Sequence, residues 1–145
     1  PTRESLITAV MEQMFETMTA DASVVLADVP DDLDTRVNAV VDKAVAIYTG
    51  TQFKAALQVW AAAASDPALR EVILPLEAKL ARAAHRFTVA GLDPAGVHPD
   101  AHRLAQVTLD LARGLGLADT LSDDSRRREQ VVATWCGQLV DALSQ

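Results

Sequence analysis

The nearest approach to a metal-binding motif in this sequence is formed by His98, Asp100 and His102. Histidine and aspartate side chains both bind zinc, and residues four apart on a helix lie on the same face. Pro99 favours a helix that begins after His98, which would separate that side chain from the other two. We therefore expect a solvated loop end here, with no metal and no cofactor.

Three other groups could carry chemistry, and each has a simpler interpretation. His85 lies one position off an apolar helical face, which is typical of a partly buried histidine. The run Arg126–Arg128 could contact DNA, but Asp123 and Asp124 beside it favour a solvated face with local ion pairs. Cys136 could be a redox switch, yet no Lys, Arg or His lies within four residues of it, so we expect a buried thiol.

Motifs of enzymes are absent from the sequence. It contains no nucleophile elbow, no glycine-rich phosphate loop and no His-Glu-x-x-His segment. Its acidic residues fall mostly where helices would begin, and capping explains an acid in a first turn. We expect no enzymatic activity.

Composition favours a single all-α domain over residues 1–145. Half of the residues are apolar, 23% are charged and only 4% are aromatic, while Ala and Leu, which favour helices, are abundant. The net charge of −7 disfavours a nucleic-acid-binding surface. A lone cysteine is usual in a reducing compartment, and no run approaches the roughly 18 apolar residues that span a bilayer. We expect a cytoplasmic protein without a membrane partner.

Apolar residues at steps of three and four predict about six helices. The first three would be capped by Thr2, by the acidic segment 31–34 and by Thr51, and Gly50 would end the second in the left-handed conformation. Asp66 and Pro67 mark the start of the fourth helix.

The fourth helix would run to Gly91, and Pro75 within it should bend or restart it. After a loop at 91–99, the fifth helix would begin at Asp100 and end at Gly114 or Gly116. The last would begin at 122–124 and reach Leu143.

Soft and large apolar side chains are concentrated in the first three helices, which hold all three Met and four of the six aromatic residues. With a bend at Pro75, they permit a small-molecule pocket within residues 1–90, although an ordinary core is the alternative. Polar groups for such a pocket are Tyr48, Gln58, Glu77 and His85. The predicted ligand-binding residues are Met11, Met14, Phe15, Met18, Tyr48, Phe53, Leu57, Trp60, Ile73, Leu76, Glu77 and Leu80.

Three segments resemble the C-terminal ligand-sensing and dimerisation region of TetR/AcrR-type transcriptional regulators. The opening Pro1-Thr2-Arg3-Glu4-Ser5-Leu6 is similar to the entry to the helix that follows the family's helix-turn-helix domain. The segment from Phe53 through Trp60 and four alanines resembles the aromatic-alanine helix of the family. The segment Asp66-Pro67-Ala68-Leu69-Arg70 that follows resembles the Asp-Pro-x-Leu-Arg pattern at which the family's next helix starts. Asp100 through Ala112-Arg113-Gly114-Leu115, followed by an amphipathic helix, resembles the dimerising pair.

The resemblance implies an all-α bundle that forms a homodimer through a four-helix bundle, two helices from residues 100–145 of each subunit. It also implies a small, mostly apolar effector that alters operator affinity. The helix-turn-helix is absent from this chain, so we expect a fragment that meets operator DNA only through an N-terminal domain. The alternative is a structural or protein-interaction homodimer without a ligand. The predicted interface residues are Leu104, Val107, Leu111, Leu115, Val131, Val132, Trp135, Leu139 and Leu143.

Overall fold

The computed structural model describes residues 2–27 and 30–145, and the side chains of 22–27 are outside that description. Within these ranges the chain forms six α-helices and no strand, which confirms the all-α prediction. The helices are α1 (Arg3–Ala27), α2 (Leu33–Thr49), α3 (Thr51–Ala64), α4 (Pro67–Leu92), α5 (Ala101–Asp119) and α6 (Ser125–Leu143). No helix in the described ranges has a stretch both long and apolar enough to cross a bilayer.

Three of the helix starts are capped as the sequence predicts. The Thr2 hydroxyl accepts a hydrogen bond from the Ser5 backbone N–H at 3.1 Å. The Asp32 carboxylate accepts from the N–H of Thr35 at 2.9 Å, and the Asp66 carboxylate accepts from that of Leu69 at 3.2 Å. Each cap satisfies an N–H group that has no partner inside its own helix, and this fixes where the helix begins.

The glycine positions differ from the prediction. Gly50 is extended, with φ −77° and ψ 165°, and it precedes α3 directly, so Thr51 is the first residue of that helix and not its cap. Helix α5 continues through Gly114 and Gly116 to Asp119. A glycine inside a helix lowers its stability without ending it, and at Gly116 the close contact with α2 favours the continued helix.

The bounds of α4 and α6 also differ slightly from the prediction. Helix α4 is continuous from Pro67 to Leu92 and does not restart at Pro75. Helix α6 begins at Ser125, one residue after Asp124, where the side chain of Asp123 accepts a hydrogen bond from the Ser125 N–H at 3.0 Å.

In the described part of the chain, most buried apolar side chains fall into three groups. The central cluster is Met18, Ala44, Tyr48, Phe53, Ala83, Ala84, Leu109 and Ala112. The α6 cluster is Val37, Val40, Val41, Leu92, Ala105, Cys136 and Leu139. The α1–α4 cluster is Met11, Ala63, Leu69 and Ile73. Helices α2, α4 and α5 contribute to the central cluster and also to the α6 cluster, and so join the two ends of the bundle.

Helices α2 and α5 approach each other closely at Gly116. A β-carbon added to Gly116 would overlap the carbonyl oxygen of Tyr48, which is the backbone of α2. Only glycine, which has no side chain, fits at this distance. Gly116 therefore sets the position of the C-terminal half of α5 against the end of α2.

Candidate ligand-binding pocket

A cavity of about 470 Å³ lies among α1, α2, α3, α4 and α5. Its lining includes residues from each of these helices and from the α2–α3 junction. The lining residues are Met14, Thr17, Met18, Asp21, Lys43, Ala46, Ile47, Tyr48, Gly50, Thr51, Gln52, Phe53, Trp60, Glu77, Leu80, Ala81, Ala84 and Arg113.

One wall of the cavity is a chain of aromatic rings. Tyr48 and Phe53 meet edge to face with their centroids 5.0 Å apart, and Phe53 and Trp60 follow at 5.7 Å. Edge-to-face pairs at these distances stabilise one another beyond the area they bury. Helix α1 contributes Met14 and Met18 to the lining, and their thioether side chains adapt to irregular shapes. The cavity thus combines a fixed aromatic wall with an adaptable one.

Four charged residues line the same cavity. Asp21 and Lys43 form an ion pair of 3.3 Å, which links α1 to α2. Glu77 comes from α4 and Arg113 from α5, and neither forms an ion pair within the described part of the chain. The guanidinium of Arg113 lies 5.8 Å from the centroid of the Tyr48 ring. The lining is therefore mostly apolar, with a few charged groups that can orient a ligand.

Two buried N–H groups beside the cavity have no hydrogen-bond partner among the described residues. They are the indole Nε1 of Trp60 and the Nε of Arg113. Buried polar groups usually find a partner, because an unpaired one retains the cost of losing water. Both orphan groups belong to residues that line the cavity, so the polar atoms of the lining are incompletely satisfied by the protein itself.

The cavity includes seven of the twelve side chains predicted to bind a ligand. These seven are Met14, Met18, Tyr48, Phe53, Trp60, Glu77 and Leu80. The other five pack elsewhere: Met11 and Ile73 belong to the α1–α4 cluster, Leu76 packs against it, and Phe15 and Leu57 pack against the central cluster. Helical periodicity selects every residue that faces inward, so it cannot separate a cavity wall from filled core.

Sequence reasoning missed the charged lining residues Asp21, Lys43 and Arg113. Their spacing carries a signal, because Asp21 follows Met18 by three residues and Arg113 follows Leu109 by four. Lys43 likewise follows the buried Val40 by three residues, so each of the three lies on the same helical face as a buried residue. Their charge predicted that these side chains face solvent, as Asp, Lys and Arg usually do.

The remaining polar candidates lie outside the cavity. Gln58 is exposed, and His85 Nε2 lies 3.1 Å from His102 Nδ1, with the two rings stacked. The ring of His98 donates from Nε2 to the carbonyl of Ala142 at 3.1 Å and accepts at Nδ1 from the Asp100 N–H at 3.2 Å. His98 and His102 are thus engaged with different partners. In residues 2–27 and 30–145 no three His, Cys, Asp or Glu side chains form a group that could hold a metal.

The α6 region has the expected buried thiol and local ion pairs. Cys136 is buried, and this burial raises the pKa of its thiol, with a smaller contribution from Asp42. Arg127 pairs with Asp124 at 2.8 Å, and Arg128 pairs with Asp119 at 3.0 Å. A raised thiol pKa leaves little reactive thiolate at neutral pH.

The predicted dimer-interface residues divide between core and surface. Leu115 and Leu139 are buried within the subunit, and Leu104, Val132, Trp135 and Leu143 are half-buried. Trp135 donates from its indole N–H to the Thr108 hydroxyl at 3.0 Å. Val107 is 43% exposed, and the half-buried Leu111 and Val131 line a groove of about 340 Å³ between α5 and α6. The surface open to a partner is therefore narrower than the predicted set, and the interface stays a prediction.

Comparison of the chain with protein-family models, with curated proteins and with solved structures gives no match. The resemblance to TetR/AcrR-type regulators therefore rests on the sequence segments quoted above.

Proposed function

We propose that this chain is the effector-sensing and dimerisation domain of a TetR-type transcriptional regulator, and that its effector is a small, mostly apolar molecule bound in the cavity. The observation that carries the proposal is the cavity itself. At about 470 Å³ it falls within the range of roughly 300–1,000 Å³ typical of small-molecule sites. Its lining of aromatic rings, methionines and a few charged groups matches the composition of such sites.

The position of the cavity supports a sensing role over mere storage. A ligand held between α1, α2, α4 and α5 touches helices that would all have to shift together when the bundle changes shape. A ligand that binds one arrangement more tightly than another shifts the population towards it. Coupling of about 1–3 kcal/mol between two sites changes affinity by roughly 5- to 150-fold. Operator DNA would be contacted by a helix-turn-helix domain that precedes α1 in the full regulator, which we place in the cytoplasm.

A fluorescent apolar probe tests whether the cavity accepts a ligand. We expect N-phenyl-naphthylamine to bind saturably and with enhanced fluorescence. Ala81→Leu, which adds bulk to the α4 wall of the cavity, should weaken its binding about tenfold or more. The matched control is Ala61→Leu, the same change at an exposed position on α3 outside the cavity, which should bind as the wild type does. Absence of saturable binding, or equal weakening by both variants, would contradict the proposal.

The second candidate is a homodimeric structural domain without a ligand, and it is favoured by the groove between α5 and α6. Leu111, Val131 and Trp135 are the apolar residues that line it, beside Gln130, Thr134 and Gln138. An isologous contact would bring this surface against its own copy. Both candidate functions require a homodimer, and sedimentation equilibrium at micromolar concentration tests whether one forms. A folded monomer would contradict both candidates, while a dimer that binds no probe would favour the second.

A further inference from the structure

Arg113 lies at the edge of the cavity and has no counter-ion among the described residues. It follows Leu109, a member of the central cluster, by one helical turn, which brings it to the inward face of α5. Its guanidinium lies over the Tyr48 ring at 5.8 Å, and its Nε is buried without a hydrogen-bond partner in the described part of the chain. A partly desolvated cation without an anion is unfavourable, and an incoming anion relieves that cost.

The other charges of the lining do not neutralise Arg113. Asp21 is already paired with Lys43 at 3.3 Å on the α1–α2 side of the cavity. Glu77 forms no ion pair with Arg113. The described lining residues therefore provide one Asp–Lys ion pair, one unpaired carboxylate and one unpaired guanidinium, and of these only the guanidinium can receive an anion.

We infer that the ligand of this cavity is an amphipathic monocarboxylate, whose carboxylate binds Arg113 while its apolar body lies against Met14, Met18, Phe53 and Trp60. The inference rests on the proposed ligand-binding function. A planar guanidinium binds a carboxylate through two parallel hydrogen bonds, and the ring of Tyr48 beneath it favours one orientation. Glu77 repels a second anionic group, which is why the ligand carries one carboxylate and not two.

The same contact would connect the ligand to the dimerisation helices. Arg113 lies three residues before Gly116, where α5 touches the backbone of Tyr48. A carboxylate held by Arg113 therefore acts on α5 beside its fixed contact with α2. The ligand would contact α1 with its apolar body and α5 with its carboxylate.

Displacement of bound N-phenyl-naphthylamine by decanoate and by decanamide measures the contribution of the carboxylate. The two probes share one apolar chain and differ in the charge of the head group. We expect decanoate to bind the wild type about tenfold or more tightly than decanamide, since hydrogen bonds to charged groups are the stronger ones. Arg113→Gln should bring the two affinities together while decanamide binding persists, and Arg113→Lys should retain part of the difference.

The matched control is Arg86→Gln, because Arg86 is exposed on α4 and also lies over an aromatic ring, that of Phe87 at 5.4 Å. It should keep the wild-type ratio of the two affinities. Equal affinity of decanoate and decanamide for the wild type would overturn the monocarboxylate inference and leave ligand binding standing. Failure of the naphthylamine probe itself to bind would overturn both.

Circular dichroism shows whether Arg113→Gln folds. If it does not, the wild type and Glu77→Gln decide the question, because removal of the Glu77 charge should raise decanoate affinity and leave that of decanamide unchanged. Equal affinities of the two probes in both proteins would overturn the inference.

Discussion

The α6 cluster and the cavity are built from the same kind of amphipathic helix, yet one is filled and the other is not. In the α6 cluster, Val37, Ala105 and Leu139 are each 0% exposed. Around the cavity, Trp60 and Leu80 remain half-buried beside about 470 Å³ of space. Both sets of residues recur at helical spacing, so the amount of apolar surface does not distinguish them. The shapes of the side chains distinguish the two regions, because compact aliphatic side chains fill a gap that aromatic rings packed edge to face leave open.

The spacing between helices explains the contrast further. In the α6 cluster, α5 presents the fully buried Ala105, a small residue that allows α2 to approach closely. On the cavity side, the edge-to-face rings of Tyr48, Phe53 and Trp60 hold one another in place and cannot collapse into the space. A protein interior is packed as tightly as an organic crystal, so an unfilled volume of this size requires a wall that resists collapse.

The largest effect is expected from Leu139→Ala, which deletes a fully buried side chain from the α6 cluster. We expect a loss of about 2–5 kcal/mol in the free energy of unfolding, because the tightly packed surroundings cannot close around the space. Urea denaturation followed by circular dichroism measures it.

Leu80→Ala is the matched change at the cavity wall, where the side chain already borders open space. It should cost about 1 kcal/mol, since only part of its surface is buried and little packing is lost. Equal costs for Leu80→Ala and Leu139→Ala would mean that the wall is packed as tightly as the α6 cluster, and the contrast between them would be lost.

An effect between those of Leu139→Ala and Leu80→Ala is expected from Gly116→Ala. The new methyl group overlaps the carbonyl oxygen of Tyr48, so α5 must move away from α2, at a cost of about 1–3 kcal/mol. Gly114→Ala is its control on the same helix, because a β-carbon at Gly114 meets no atom within 4 Å. That variant should gain about 0.5–1 kcal/mol from the higher helix propensity of alanine. Thermal unfolding compares the two, and a stabilised Gly116→Ala variant would contradict the close contact.

The glycines of α5 also show what sequence could and could not supply. The helix starts at Asp32 and Asp66 were predictable, because a cap depends on residues within one turn of it. The end of α5 was not, because Gly114 and Gly116 both look like stop signals, and the contact of Gly116 with α2 is distant in sequence. Local chemistry determines where a helix begins here, whereas the position of its end depends on a contact distant in sequence.

The candidate site was predictable to a similar extent and for a similar reason. Met14, Met18 and Trp60 were identified because apolar residues at helical spacing face inward. Arg113 was missed because its charge indicated solvent, and only the packing of α5 on α2 brings it over the Tyr48 ring. The charged lining residues are thus the ones whose positions depend most on the tertiary structure.

Asp119 connects the cavity side to the α6 side, and it yields the smallest of these effects. Lys54 of α3 at 3.1 Å and Arg128 of α6 at 3.0 Å lower the pKa of its carboxyl group. A carboxylate with a depressed folded-state pKa stabilises the fold above its ordinary pKa of about 3.9, and this stabilisation is lost as pH falls through the folded-state value. The wild-type urea midpoint should therefore fall further between about pH 7 and pH 3 than that of Asp119→Asn. Asp141→Asn, an exposed change on α6, should follow the wild type. If Asp119→Asn loses as much stability in acid as the wild type, these ion pairs do not couple α3 to α6.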